Sequence, residues 1–175
     1  IMFDANNEES LPDYVKYGVD FMLKYRGFSA IGEYIKSEAT VPDDITQRVR
    51  NDGSISDNFM VNDFQDVDSY VRGRMMLGEA YNIQTGYLFK SGFSIDARYT
   101  HLIGDEHSFM NNATFYNRPN YYTLGVGKLM SRNYGFKIQA SITYVDGSLG
   151  INNNLSEPIA GNEILGRIIT TISFW

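Results

Sequence analysis

The sequence predicts an all-β fold, the antiparallel up-and-down wall of a transmembrane β-barrel, and three observations carry that expectation. Five stretches alternate apolar and polar residues almost without error, as a strand does when one face meets hydrocarbon and the other meets water. Very short turns and very long loops follow the predicted strands in strict rotation. The composition sets Tyr 13, Phe 11 and Gly 16 beside Pro 4 and Cys 0, and aromatic rings pack well on pleated surfaces.

Residues Ile1 to Asp13 have a polar loop composition, with Asn6, Asn7, Glu8, Glu9, Ser10 and Pro12. A first strand then sets Val15, Tyr17, Val19, Phe21, Leu23 and Tyr25 against Lys16, Gly18, Asp20, Met22 and Lys24. Arg26 and Gly27 make a tight reversal, because hairpin turns need positive φ and glycine supplies it without steric cost. The second strand, from Phe28 to about Lys36, places Phe28, Ala30, Gly32 and Tyr34 opposite Ser29, Ile31 and Glu33. Residues 37–78 form an acidic segment far longer than the usual connection of about 4–6 residues. It reads as a functional or partly disordered loop, with a short helix over Val71 to Tyr81.

The third strand carries Tyr81, Ile83, Thr85, Tyr87 and Phe89 on one face, and Lys90, Ser91 and Gly92 turn it into a fourth. There Phe93, Ile95, Ala97 and Tyr99 alternate with Ser94, Asp96, Arg98 and Thr100. After a loop from His101 to Asn120, the fifth strand opposes Tyr122, Leu124 and Val126 to Thr123, Gly125 and Gly127. A turn from Ser131 to Gly135 leads to the sixth, with Phe136, Ile138, Ala140, Ile142 and Tyr144 against Lys137, Gln139, Ser141 and Thr143. A third loop, Asp146 to Asn162, precedes the seventh strand, Ile164 to Trp175. Its apolar series ends at Phe174 and leaves Trp175 one step out of phase.

Outer-membrane barrels have short periplasmic turns and long extracellular loops, so this rotation implies extracellular long loops and a periplasmic C-terminus. Such barrels have an even number of strands from 8 upward, and an open sheet in lipid leaves edge groups unsatisfied at several kcal/mol each. The expectation is therefore a single domain over residues 1–175, the C-terminal part of a larger barrel closed by further strands. A soluble β-sandwich also alternates, but it covers its apolar face with a second sheet and has no reason to alternate loop lengths.

Particular segments sharpen this expectation. The runs KYGVDFMLKYRGFSAIGEY (Lys16 to Tyr34), NIQTGYLFKSGFSIDARYTHL (Asn82 to Leu102) and NYYTLGVGKLMSRNYGFKIQASITY (Asn120 to Tyr144) carry Gly32-Glu33-Tyr34, then Gln84, Gly86 and Tyr87, then Ala97-Arg98-Tyr99. In order and spacing they resemble the C-terminal half of the phosphate-selective porin O and P family. The resemblance implies a 16-stranded outer-membrane barrel, usually a homotrimer, that passes small anions such as phosphate or other hydrophilic solutes. Its partners would be outer-membrane lipid and lipopolysaccharide.

On the inward parity lie Lys16, Asp20, Lys24, Glu33, Gln84, Asp96, Arg98, Lys137, Gln139 and Arg167, which would line the pore and set its field. The plainer alternative is a set of cross-strand ion pairs in a polar interior. The net charge of −6 argues against a nucleic-acid partner, whose phosphates need a basic surface. His101 and His107 flank Asp105 and Glu106, but without a third well-placed His or Cys they do not make a metal centre. No Asp-x-Asp-x-Asp-Gly calcium loop is present, and Ser94 and Asp96 have no His on their face to complete a hydrolytic set. The expectation is a non-enzymatic channel without cofactor. The alternative is a structural barrel scaffolding a cell-surface complex, with the acidic loop as its docking site or plug.

Overall fold

A computed structural model describes residues 1–107, 119–130, 135–147, 150–152, 157–159 and 162–172. The chain is built on one sheet of seven antiparallel strands: β1 (Asp13–Tyr25), β2 (Phe28–Thr40), β3 (Gly78–Leu88), β4 (Phe93–Gly104), β5 (Asn120–Leu129), β6 (Phe136–Asp146) and β7 (Glu163–Ile172). Each strand pairs with its neighbour in sequence, so the sheet runs from β1 to β7 without a crossover. β1 and β7 are its edges; among the described residues they do not pair with each other, and no closed barrel forms.

The ladders run without a bulge, and one parity therefore holds across the whole sheet. Val19 lies opposite Tyr34, Tyr34 opposite Tyr81, and Ile83 opposite both Gly32 and Tyr99. Leu124 lies opposite Ala97 and Ile142, and Ile142 opposite Gly166. One face thus carries most of the strands' apolar residues and the other most of their polar ones, with Met22, Ile31 and Ile169 on the polar parity and Lys36, Glu79 and Lys128 on the apolar one.

Among the described residues, no other element packs against that apolar face. Val19 is 72% exposed, Ile95 46%, Ile138 36% and Ile172 57%, so no second sheet covers them among the described residues. Phe21 does find a partner within the sheet. Its ring lies over Gly32 on the facing strand, where a β-carbon would collide with it.

Turn chemistry fixes the register. Arg26 and Gly27 both have positive φ, 48° and 89°, and Tyr25 pairs with Phe28. This is the two-residue type I′ connection whose twist matches its flanking strands. Between β3 and β4, the Phe89 N–H bonds the Phe93 carbonyl at 2.8 Å and the Gly92 N–H bonds that of Phe89 at 2.9 Å. Gly92, at φ 79°, takes the left-handed position of a three-residue hairpin loop. The turn expected from Ser131 to Gly135 falls mostly outside the described residues, as do Phe174 and Trp175, most of the loop after β4 and much of that after β6.

The long connection after β2 departs from its sequence expectation in three ways. β2 continues to Thr40 because Asp13 to Lys16 extend β1 alongside it, so the connection spans 41–77. The helix expected over Val71 to Tyr81 is instead α1, Val67–Arg72. The Asp66 side chain caps it by accepting from the Ser69 N–H, and Gly73 follows its last turn, while Gly78 to Tyr81 pair with Gly104 to His101 as strand. The connection is also folded rather than partly disordered. Its core is Val41, Ile45, Phe59 and Val71, with Met2, Val67, Tyr70 and Met75 packed around them.

The N-terminal residues join this cap. Met2–Phe3 pairs with Gln47–Val49, which pairs with Ile55–Ser56. Tyr70 packs edge-on to Phe59 at 5.3 Å between ring centroids, and the Arg48 and Arg74 guanidinium carbons stand 4.8 and 3.4 Å from its ring centroid. Contacts between described residues tie the cap to the sheet. Ser37 Oγ donates to the Met76 carbonyl at 2.9 Å, the Asp105 N–H to the Leu77 carbonyl at 3.1 Å, and Arg72 Nη2 to Asp105 Oδ2 at 2.6 Å.

Candidate functional site

The polar face of the sheet is the candidate site. Lys16, Asp20, Lys24, Glu33, Gln84, Asp96, Arg98, Lys137, Gln139 and Arg167 all lie on it, since the registers connect them through residues of one parity. They fall into rows. Asp20 lies opposite Glu33, which lies opposite Asn82, which lies opposite Thr100. The Asn82 amide donates to Glu33 Oε2 at 3.1 Å and accepts from the Thr100 hydroxyl at 2.9 Å.

Gln84, Arg98, Thr123 and Thr143 form the next row, the two threonine hydroxyls 2.8 Å apart. Beside it run Gly86, Asp96, Gly125, Ser141 and Arg167. Gln84, Asp96, Arg98, Gln139, Ser141 and Arg167 thereby surround one hollow of about 200 Å³. Lys16, Lys24 and Lys137 lie apart from this cluster.

Gly125 lies in the lining of that hollow. Gly86 and Gly125 flank Asp96 on both neighbouring strands, so the carboxylate spreads over bare backbone. Among the described residues, none of the charged residues of the predicted set makes an ion pair within 4.0 Å. Charges left unpaired beside water act at a distance on whatever passes them, which is how rings of side chains discriminate solutes by sign. Asn82, Thr100, Thr123, Ser141 and Thr143 belong to the same surface and were not among the predicted site residues. The parity that found the charges also marks these neutral groups.

No protein-family model, curated protein or solved structure matches this chain. Its chemistry therefore rests on the two faces themselves.

The opposite face is ordered along the strands. Toward the long loops, Tyr81, Tyr99, Tyr122 and Tyr144 form a row across β3 to β6, with successive ring centroids 6.0, 5.0 and 6.3 Å apart. Tyr34 extends the row on β2, opposite Tyr81, and its hydroxyl donates to Glu79 at 2.5 Å. Toward the short turns, Tyr25, Phe28, Tyr87, Phe89, Phe93 and Phe136 form a second row, with Phe89 at 4.8 Å from Tyr87 and 6.1 Å from Phe93. Between the rows the face is aliphatic, with Ile95, Leu124, Val126, Ile142 and Ile168. Tyr81 to Tyr87 and Tyr144 to Phe136 set the rows about 20–27 Å apart along the strands at ~3.4 Å per residue.

His101 sits on this apolar parity, with its ring centroid 5.1 Å from that of Tyr81 and its Nδ1 2.7 Å from Asn120 Oδ1. His107 Nδ1 stands 3.8 Å from Asp105 and 3.6 Å from Glu106. Among the described residues, no three His, Asp or Glu side chains converge as metal ligands.

Proposed function

We propose that this chain forms part of the wall of an outer-membrane channel through which small hydrophilic solutes diffuse passively. One observation carries the reading. An unbroken parity over all the strands of the main sheet gives an exposed aliphatic band between two aromatic rows on one face, and unpaired charges with hydroxyls and amides on the other. Outer-membrane barrels have such an outward band, about 25 Å tall with an aromatic girdle at each interface, and a polar interior. The rotation of short turns and long connections supports the same orientation.

Further strands would close the edges at β1 and β7, since unpaired backbone groups do not persist in hydrocarbon. The order of motifs resembling the phosphate-selective porin O and P family points to a barrel of about 16 strands, a size at which porins leave an aqueous channel. Lys16, Asp20, Lys24, Glu33, Gln84, Asp96, Arg98, Lys137, Gln139 and Arg167 would then line the lumen. Their mixed signs leave small hydrophilic solutes, anions such as phosphate included, as the class that passes.

A second reading has its own support. The cap over 41–77 is a folded unit with its own core, and a surface scaffold that presents a docking platform needs such a unit. Single-channel recording on the full-length protein in a planar bilayer separates the two. Discrete open steps are expected of the channel, and a membrane that stays closed after insertion would overturn it in favour of the scaffold.

A further inference from the structure

The two ends of the sheet differ in charge. The sequence of the three regions that hold the short turns, 24–29, 86–94 and 127–138, contains Lys24, Arg26, Lys90, Lys128, Arg132 and Lys137 and no Asp or Glu. The connection over 41–77, at the other end, carries Asp43, Asp44, Asp52, Asp57, Asp63, Asp66 and Asp68 against four arginines.

At the turn end, a hollow of about 640 Å³ lies between the first two hairpins. Arg26 and Lys90 border it, Tyr87 and Phe89 supply apolar surface from the aromatic face, Leu88 and Leu129 from the opposite parity, and Gly27 and Gly92 complete the lining. Lys128, on the aromatic face, donates to the Ser91 carbonyl at 2.8 Å and helps hold the Lys90 turn. The hollow thus joins a cationic rim to the aromatic row above it, the chemistry of an amphiphile whose head is anionic and whose tail is hydrocarbon.

Arg26 is the first residue of its turn. At φ 48° it occupies a conformation that bulky side chains rarely adopt and that Asn or Gly fills more readily in this turn type. Its guanidinium carbon stands 5.2 Å from the Tyr25 ring centroid, which sets the charge beside the aromatic face.

We infer that the turn end is a docking site for the phosphate of an anionic phospholipid, with Arg26 and Lys90 on the headgroup and Tyr87 and Phe89 against the upper acyl chain. The inference rests on the proposed membrane-spanning reading. It assigns the lipid to the leaflet that the short turns meet, where the acidic cap is absent.

The test uses the full-length protein reconstituted in phosphatidylcholine vesicles, with spin-labelled phosphatidylglycerol, phosphatidylcholine or lipid A as the probe. Wild-type protein should immobilise phosphatidylglycerol in preference, and salt should reduce the difference. R26N creates the favoured Asn-Gly turn, so it removes the charge without loosening the hairpin. K90Q removes the second cation. Each substitution should lower relative affinity roughly fivefold, as expected for a near-surface cation.

Equal immobilisation of phosphatidylglycerol and phosphatidylcholine by wild type, or a preference that survives R26N/K90Q, would overturn the inference. A stronger preference for lipid A than for phosphatidylglycerol would overturn the assigned leaflet. Protease protection in the same vesicles separates this from the broader reading. A full-length protein that never inserts defeats the channel itself, whereas one that inserts without lipid preference defeats only the docking site.

Discussion

The Asp96 carboxylate lies across the bare backbone of Gly125 on the neighbouring strand, so closely that a β-carbon at Gly125 would strike it. This contact fixes where a negative charge sits on the polar face, beside Arg98 and Arg167 in one hollow. In a water-filled lumen, a unit charge at ~6 Å acts on a monovalent ion with about 0.7 kcal/mol, roughly a threefold bias. Asp96→Asn should therefore raise anion over cation permeability about tenfold, since the anion gains and the cation loses by that factor, measured as a reversal potential under a salt gradient. Gly125→Ala should shift it less and in the same direction, because it displaces the carboxylate without removing it. An unchanged reversal potential in Asp96→Asn would mean that this face does not meet the permeating ions.

The cap hangs in part on Asp66, which accepts from the Ser69 N–H at 2.9 Å at the start of α1. Hydrogen bonding from Ser69 holds the Asp66 carboxyl below the ordinary carboxylate range. A depressed folded value means stability present above the unfolded value of about 3.9 and lost as pH falls through the folded one. Asp66→Ala should cost the cap about 1 kcal/mol at neutral pH and nothing further in strong acid, where the wild-type carboxyl is itself protonated. Hydrogen exchange at the Ser69 amide, compared at pH 7 and below pH 3 after correction for intrinsic rates, checks both halves.

Arg72 holds the same cap to the end of β4. Its guanidinium reaches Asp68 Oδ2 at 3.3 Å and Asp105 Oδ2 at 2.6 Å. The Asp105 pair is mostly shielded, so its charge-assisted hydrogen bond should contribute about 1.5–3 kcal/mol. Arg72→Met should thus speed proteolytic nicking within 41–77 by at least tenfold, if cleavage follows the population of the opened form. The Arg72→Met and Asp105→Asn changes should not add, because each deletes the same pair. Additive rates would assign the attachment to Ser37 and the Asp105 backbone amide instead.

The main sheet was legible in the sequence because its cause is periodic. The parity of Val19, Ile83, Ile95, Leu124, Ile142 and Ile168 is the same in the chain as in the ladders, and Arg26-Gly27 marks its own turn. The charged residues of the polar face were legible for the same reason. The cap was not, because Val41, Ile45, Phe59 and Val71 meet from irregular segments and share no period. The helix was misplaced because Val71 to Tyr81 is apolar enough to suggest one, while the deciding signal is Asp66 as a cap three residues before Ser69. The gathering of Asp96, Arg98 and Arg167 depended on register and on the missing side chains at Gly86 and Gly125, and alternation sets neither.

The apolar face is where the membrane reading is most exposed to test. Ile168 lies in the aliphatic band opposite Ala140, whereas Ile164 lies opposite Tyr144 in the aromatic row. If that band meets hydrocarbon, a lysine at its middle should cost about 2–4 kcal/mol and one near the interface about 0–1. Ile168→Lys should therefore lower the urea midpoint of the vesicle-inserted protein strongly, and Ile164→Lys only slightly. Thr123→Lys, on the opposite face of β5, should change it little because its ammonium would stay in water. A soluble sheet whose apolar face is capped by another protein surface would penalise Ile168→Lys and Ile164→Lys without that gradient of depth. Equal destabilisation at the two positions would remove the support for a bilayer, and with it the channel.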